Sequence, residues 1–343
     1  MNRTQTLENN TTKQSNLPTP PLEIVLPTSP VTKILPNDYQ IFQSFNNCGP
    51  ASLSMALSYF GITKTQEELG ETLRPYQNPQ GDNDDKSVTL DELAKEGEKY
   101  GLIAYHRPNG SVEKLKAFIA LGIPVITRTW LYPNEDIGHF RVVKGYDNVT
   151  REIIQDDSYQ GHNIHYSYDT FNSMWDKFGY EYLIFVPNDK QKQAEAILGS
   201  DKDEKIAWRN AINSFQDILK EDPANIDAQF NLSVAYYNIG DYKQSVAAYE
   251  KIMDRLPMRT LWYQIEPIKA YYKLGVDQKV FNMTDAILNH SNRAFSELYI
   301  LRGKMYEKNG NLSAAKSEYE KSVFYNKNLT DAQEALADLE KIN

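Results

Sequence analysis

The sequence holds a single cysteine, Cys48, among 343 residues. One thiol excludes an internal disulfide framework and any zinc site built from several cysteines. No stretch approaches the ~18 uninterrupted apolar residues that a membrane-spanning helix needs. A basic block is also lacking: 37 Lys and Arg stand against 46 Asp and Glu, a net charge of −9. Binding nucleic acid takes a dense cationic face that displaces counterions from phosphates, so no such partner is expected. What remains is ordinary globular composition, 41% hydrophobic and 24% charged. At ~150 residues per domain the length suits roughly two domains, each able to bury a core. Tyrosine is in excess, with 23 copies, many in the last third.

Residues 1–34 are rich in Thr, Asn and Pro and lack the apolar centre of a signal peptide, which predicts a disordered tail. Such a tail resembles the spacer behind a removed export signal or lipid anchor, as in an extracytoplasmic bacterial protein. A frayed terminus of a cytoplasmic protein fits the same composition. From residue 35 the pattern is that of a folded domain, predicted to run to 188. Helices fit PASLSMALSYFG, TLDELAKEGEKYG and SVEKLKAFIALG; Thr89 and Glu92 are spaced as a capping box. Short β-rich runs follow at 124–130, 139–145, 151–155 and 182–186. Helices followed by an antiparallel sheet predict an α+β domain.

A polar, helical connector is expected over 189–203, and beyond it, over 204–343, lies a repeat. Gly240, Gly275 and Gly310 stand 35 residues apart, each four positions after a tyrosine: Tyr236, Tyr271 and Tyr306. The units resemble tetratricopeptide repeats, helix pairs recurring about every 34 residues. That resemblance implies an all-α solenoid in which each unit buries its apolar face against the next. The middle unit departs most, with Pro267 inside its expected first helix, and DAQEALADLEKIN reads as a polar capping helix.

Cys48 opens a helix in QSFNNCGPASL. A thiol there sits at the positive end of the helix dipole, which favours the thiolate. The alternative for a lone cysteine is a buried, inert position. Gly49 beside it leaves room for a substrate carbonyl. Among five histidines, His106 and His290 stand in surface-like contexts. His162 and His165 form HNIH near Asp156 and Asp157, a loose metal-like cluster without further ligands. His139 heads the strand-like run GHFRVVKGYD, and a second strand, REIIQ, leads into Asp156 and Asp157. Neighbouring antiparallel strands bring a carboxylate beside the imidazole, where it holds the tautomer and stabilises the imidazolium. Gln43, five residues before the cysteine, is placed to donate its amide to an oxyanion beside the Cys48 N–H. The acidic loop GDNDDKS fails the calcium-loop pattern at Lys86 and Ser87, and no metal or organic cofactor is expected. Triplets such as Asn148 to Thr150 and Asn231 to Ser233 are chance glycosylation sequons.

Together QSFNNCGPAS, GHFRVVKGYD and QDDSYQG resemble cysteine peptidase family thirty-nine, papain-like enzymes that process bacteriocins after double-glycine leaders. The chain looks like stand-alone bacterial members with tetratricopeptide repeats behind the peptidase domain. The resemblance implies Cys48 as nucleophile, His139 as base, Gln43 as oxyanion donor and Asp157 as orienter. The family usually has Asp-Pro where this chain has Asp157-Ser158, so Asp156 stays open as the orienter. The family's processing peptidases are fused to membrane transporters, so the leader substrate does not carry over. A thiol hydrolase acting on a peptide or protein is the leading expectation. A catalytically idle peptide-binding scaffold and an acyltransferase with the same triad are the alternatives. The repeats are expected to serve as a substrate or partner platform. Gln229, Asn231, Tyr236, Gln264 and Tyr299 are the polar and aromatic set expected to line their groove.

Overall fold

The computed structural model describes residues 25–76, 87–289 and 292–342. His290, the acidic loop as far as Lys86 and the first 24 residues lie outside the described residues. Strand β1 (Thr32–Ile34) precedes helices α1 (Cys48–Ser58), α2 (Gln66–Leu73) and α3 (Leu90–Glu98). Next come β2 (Ile103–Arg107), α4 (Val112–Ala120), β3 (Val125–Trp130), β4 (Gly138–Asp147) and β5 (Glu152–Asp157). Strand β6 (Gly161–Ser167), α5 (Tyr168–Trp175) and β7 (Tyr182–Val186) complete the sheet region.

Local chemistry starts these helices. Thr65 and Thr89 each close a capping box with the glutamate three residues on, Glu68 and Glu92, and Ser111 caps α4. The strands pair antiparallel in the order β2-β7-β3-β4-β5-β6, and β1 joins β4 beyond the end of β3. Side chains alternate across the sheet. Ile126, Val142, Leu183 and Phe185 meet α1 and α3 on one face. Val125, Val143, Ile184 and Val186 meet α4 and α5 on the other. The four expected strand runs are β3, β4, β5 and β7. Strands β1, β2 and β6 were not expected: β1 has three residues, and β6 is an edge strand whose sequence, GHNIHYS, has no apolar run. The sheet therefore begins at Thr32, three residues inside the predicted tail.

The connector is helical. Its α6 (Gln191–Leu198) buries Ala194 and Leu198 in the core beneath α4. The repeat region then runs through α7 (Glu204–Glu221), α8 (Ile226–Asn238), α9 (Tyr242–Glu250) and α10 (Thr260–Tyr263). It continues through α11 (Glu266–Leu274), α12 (Asp277–Leu288), α13 (Ser296–Lys308), α14 (Leu312–Tyr325) and α15 (Thr330–Ile342). Gly240, Gly275 and Gly310 turn the chain between paired helices at φ of 87°, 72° and 77°, the left-handed region that glycine adopts without strain. Pro267 lies in the first turn of α11, where its missing N–H leaves no helix bond unmade. The expected long first helix is thus replaced by the four-residue α10 and a late-starting α11.

That irregular segment faces the N-terminal domain. Arg259 pairs with Asp136, and the Arg128 Nη2 donates to the Tyr263 carbonyl at 3.2 Å. Arg128 is buried with its guanidinium over the rings of Phe140, Phe178 and Tyr263. His106, expected near the surface, is instead half-buried at this seam, 2.8 Å from Glu181 and edge-on to Trp208. The expected groove set is redistributed as well. Asn231 Nδ2 donates to the Asp176 carbonyl at 2.6 Å, and buried Gln264 lies against Glu181. Tyr299 stacks on Tyr325 inside the solenoid. Gln229 and Tyr236 do line a shallow groove.

Candidate active site

The chain enters α1 through Asn46, at φ 59°, a turn conformation that asparagine tolerates. Cys48 is the first residue of α1 and is 7% exposed. His139 stands near the start of β4, and Asp157 ends β5, whose register sets it opposite Arg141. The His139 Nε2 lies 2.9 Å from Asp157 Oδ1. The imidazole also interacts with the Cys48 thiol, each favouring the other's charged form. With Nε2 engaged by the carboxylate, Nδ1 is the nitrogen left for sulfur.

Electrostatics favour a charged pair. Burial opposes ionisation of Cys48, but the hydrogen bond and charge of His139, helped by Arg74, hold the thiol below its ordinary value. Burial likewise opposes the imidazolium, yet hydrogen bonds to Asp157 and Cys48 raise His139 above the usual histidine value. Asp157, despite its burial, is held well below the carboxylate range by His139, by Arg141 and by the backbone N–H of Gln160. The fully buried Arg141 places Nε 2.8 Å from Asp157 Oδ2 and donates from Nη1 to the Trp130 carbonyl at 2.8 Å. It ties the carboxylate to the loop between β3 and β4.

Gln43 lines the same cleft. Its backbone N–H donates to the Ser158 carbonyl at 2.8 Å, and the Ser158 hydroxyl donates to Gln43 Oε1 at 2.9 Å. With Oε1 so engaged, the Nε2 end is left for the cleft. Gln66 braces this segment by accepting from the Ser44 N–H and donating to the Phe42 carbonyl, at 2.8 and 2.9 Å. Asp156 points elsewhere, 3.0 Å from Lys144 Nζ and 2.8 Å from His162 Nδ1. His165 meets Glu152 instead. Among the described residues no group of three or more His, Cys, Asp or Glu is placed to hold a metal ion. Gly49 does not open space for a substrate: a Cβ there would lie 2.2 Å from Val88 Cγ2, so its smallness serves the packing of α1.

Sequence reasoning missed Arg141, the bond of the Ser158 hydroxyl to Gln43 and the repeat residues that line the cleft. Arg141 follows His139 by two residues on one strand, the spacing that puts both on one face, and that signal was readable. The cleft holds about 390 Å³, and Arg259, Trp262 and Tyr263 of the repeat region line it together with Cys48 and His139.

The sheet sets a helix-borne cysteine against a strand-borne histidine. Residues 33–183 match the Peptidase_C39 like family, and residues 207–265 and 296–329 match tetratricopeptide repeats. No curated protein matches the chain. Solved structures resemble parts of it. A peptidase from Bacillus anthracis, described as family thirty-nine-like, is 20% identical, covering 46% of this chain and 98% of its own, with a TM-score of 0.40. MamA is 18% identical, covering 42% and 83%, with a TM-score of 0.36. A double glycine motif protease from an AMS/PCAT transporter, solved with its leader peptide, is 24% identical, covering 48% and 100%, with a TM-score of 0.34. Among the described residues no helix is long and apolar enough to cross a membrane.

Proposed function

We propose that the protein is a cysteine peptidase in which Cys48 attacks a peptide carbonyl. The single observation that carries this reading is the chain of contacts from Cys48 through His139 to Asp157. The Cys48 thiolate adds to the carbonyl carbon, and the negative charge that moves onto oxygen meets Gln43 Nε2 and the Cys48 N–H. Collapse breaks the C–N bond while His139 gives its proton to the departing amine. Water then adds to the thioester, His139 takes one of its protons, and the carboxylic acid product leaves with Cys48 again a thiolate. Asp157 keeps Nε2 protonated throughout and so directs Nδ1 at the sulfur. Arg141 holds Asp157, and Ser158 fixes the amide of Gln43. The repeats, whose residues wall the cleft, serve as a platform for the polypeptide substrate.

Labelling of Cys48 with an iodoacetamide probe near neutral pH tests the nucleophile. Selective labelling that falls sharply in His139→Ala is expected, together with loss of turnover but not of folding in Cys48→Ala. A thiol that resists alkylation in the folded chain, with or without His139, overturns the reading in favour of an idle scaffold.

A further inference from the structure

The repeat region reaches the catalytic pair through one segment. Arg259, Trp262 and Tyr263 line the cleft beside Cys48 and His139. The Tyr263 ring lies 3.0 Å from where a Cβ would stand at Gly138, the residue before His139. Arg259 is ion-paired with Asp136 across the seam and lies 5.4 Å over the Trp262 ring. Facing this wall are Leu131 and the partly exposed Ile137, both from the loop between β3 and β4. Gln43 comes from the segment leading into Cys48.

Because His139 hands its proton to the leaving amine, the chain that departs lies on the His139 side of the cleft. We propose that Arg259–Tyr263 of the repeat region forms the subsite for the residue that follows the scissile bond, and that this subsite takes an apolar or aromatic side chain. The assignment rests on the peptidase reading. Trp262, Tyr263, Leu131 and Ile137 give it two aromatic and two aliphatic side chains, and Arg259 is already neutralised by Asp136. The polar Ser44, Asn46, Ser87 and Asn292 also line the cleft. A charged side chain set against these rings loses hydration, whereas an apolar one exchanges water for ring surface. The break in the repeat pattern at Pro267 is what releases the segment to play this part.

Full-length protein is assayed on an internally quenched peptide library varied on both sides of the bond. The wild type is expected to prefer Phe, Tyr or Leu over Asp or Lys after the bond. Trp262→Ala should lower kcat/KM on the aromatic substrates roughly tenfold or more, with the preference before the bond unaltered. Trp262→Leu keeps an apolar side chain in the repeat core, so it serves if the alanine variant misfolds. It should lose selectivity for aromatic over aliphatic residues. In single-turnover traces acylation slows, while deacylation keeps its rate because the leaving peptide has already gone. A shift confined to the residue before the bond, a changed deacylation rate, or a properly folded Trp262→Leu with wild-type preferences overturns the assignment. Short peptides beginning with Phe or Asp, titrated onto full-length Cys48→Ala, read the subsite without turnover. Tighter binding of the Phe peptide that Trp262→Leu abolishes upholds the subsite even if no library member is cleaved, whereas equal binding of the two refutes it. Absent turnover with an unlabelled Cys48 counts against the peptidase reading alone.

Discussion

Ser158 follows Asp157 directly, and its hydroxyl holds Gln43 Oε1 at 2.9 Å. That bond orients the Gln43 amide. On the proposed mechanism Gln43→Ala removes the oxyanion donor and should lower kcat by ~10²–10³ with KM little changed. Ser158→Ala leaves the amide present but free to turn, so a smaller fall in kcat at constant KM is expected. A change confined to KM would place Gln43 on the ground state instead. The pH profile tests the pair itself. The thiol pKa is lowered, so thiolate persists below the ordinary thiol value of ~8.5; the imidazole pKa is raised, so imidazolium persists above ~6.5. The active pair exists between those two titrations, which gives a bell in kcat/KM whose limbs belong to the pair jointly. Asp157→Asn removes the carboxylate that raises His139, so the alkaline limb should move to lower pH. An alkaline limb that stays in place means Asp157 does not stabilise the imidazolium.

At the scale of elements, α1 has to lie close enough to α3 and the sheet for its first residue to meet β4. Gly49 permits this approach, with Val88 Cγ2 2.2 Å from the place of a Cβ and the Phe140 ring 3.5 Å away. Gly49→Ala should cost ~1–3 kcal/mol through overpacking and shift the urea midpoint without altering the slope. Val88→Ala in the same chain should restore part of the loss. If Gly49→Ala is as stable as wild type but slow, the glycine serves substrate approach after all. The α11 helix teaches the complementary lesson. Pro267 marked the middle repeat as irregular, but the sequence pattern does not say where the released residues go. They go to the cleft.

Across the whole molecule the two halves share a seam. Arg128 is buried among Phe140, Phe178 and Tyr263, with Glu181 and Glu266 close enough to favour its charge. Arg128→Ala strips that compensation from the two carboxylates and should cost ~3–5 kcal/mol, the usual penalty for breaking a buried charge arrangement. With such a seam the chain is expected to unfold in urea as one transition, read alike by far-UV dichroism and tryptophan fluorescence. Two separate transitions, of which Arg128→Ala moves only one, would show that the halves melt independently. The same seam makes the repeats part of the cleft, so the sheet domain cut away at the connector would lose one wall of its site.

Periodicity and spacing were enough for the helices α1, α3 and α4, for β3, β4, β5 and β7, and for the glycine-turned repeats, because each depends on neighbours a few residues away. Cys48, His139 and Gln43 were singled out the same way, from a helix start, a strand start and a fixed spacing, while the strand end offered Asp156 and Asp157 together and only the family resemblance favoured Asp157. Three strands escaped, since β1 and β6 carry too little apolar patterning and are made by pairing with a partner strand. The β4–β5 pairing sends the adjacent Asp156 and Asp157 side chains to opposite faces, Asp157 to His139 and Asp156 to Lys144 and His162, a difference that spacing alone does not show. Only the folded chain brings Arg259, Trp262 and Tyr263 to Gly138 across more than a hundred residues of sequence. Contacts of that range obey no local period, so no reading of spacing reveals them.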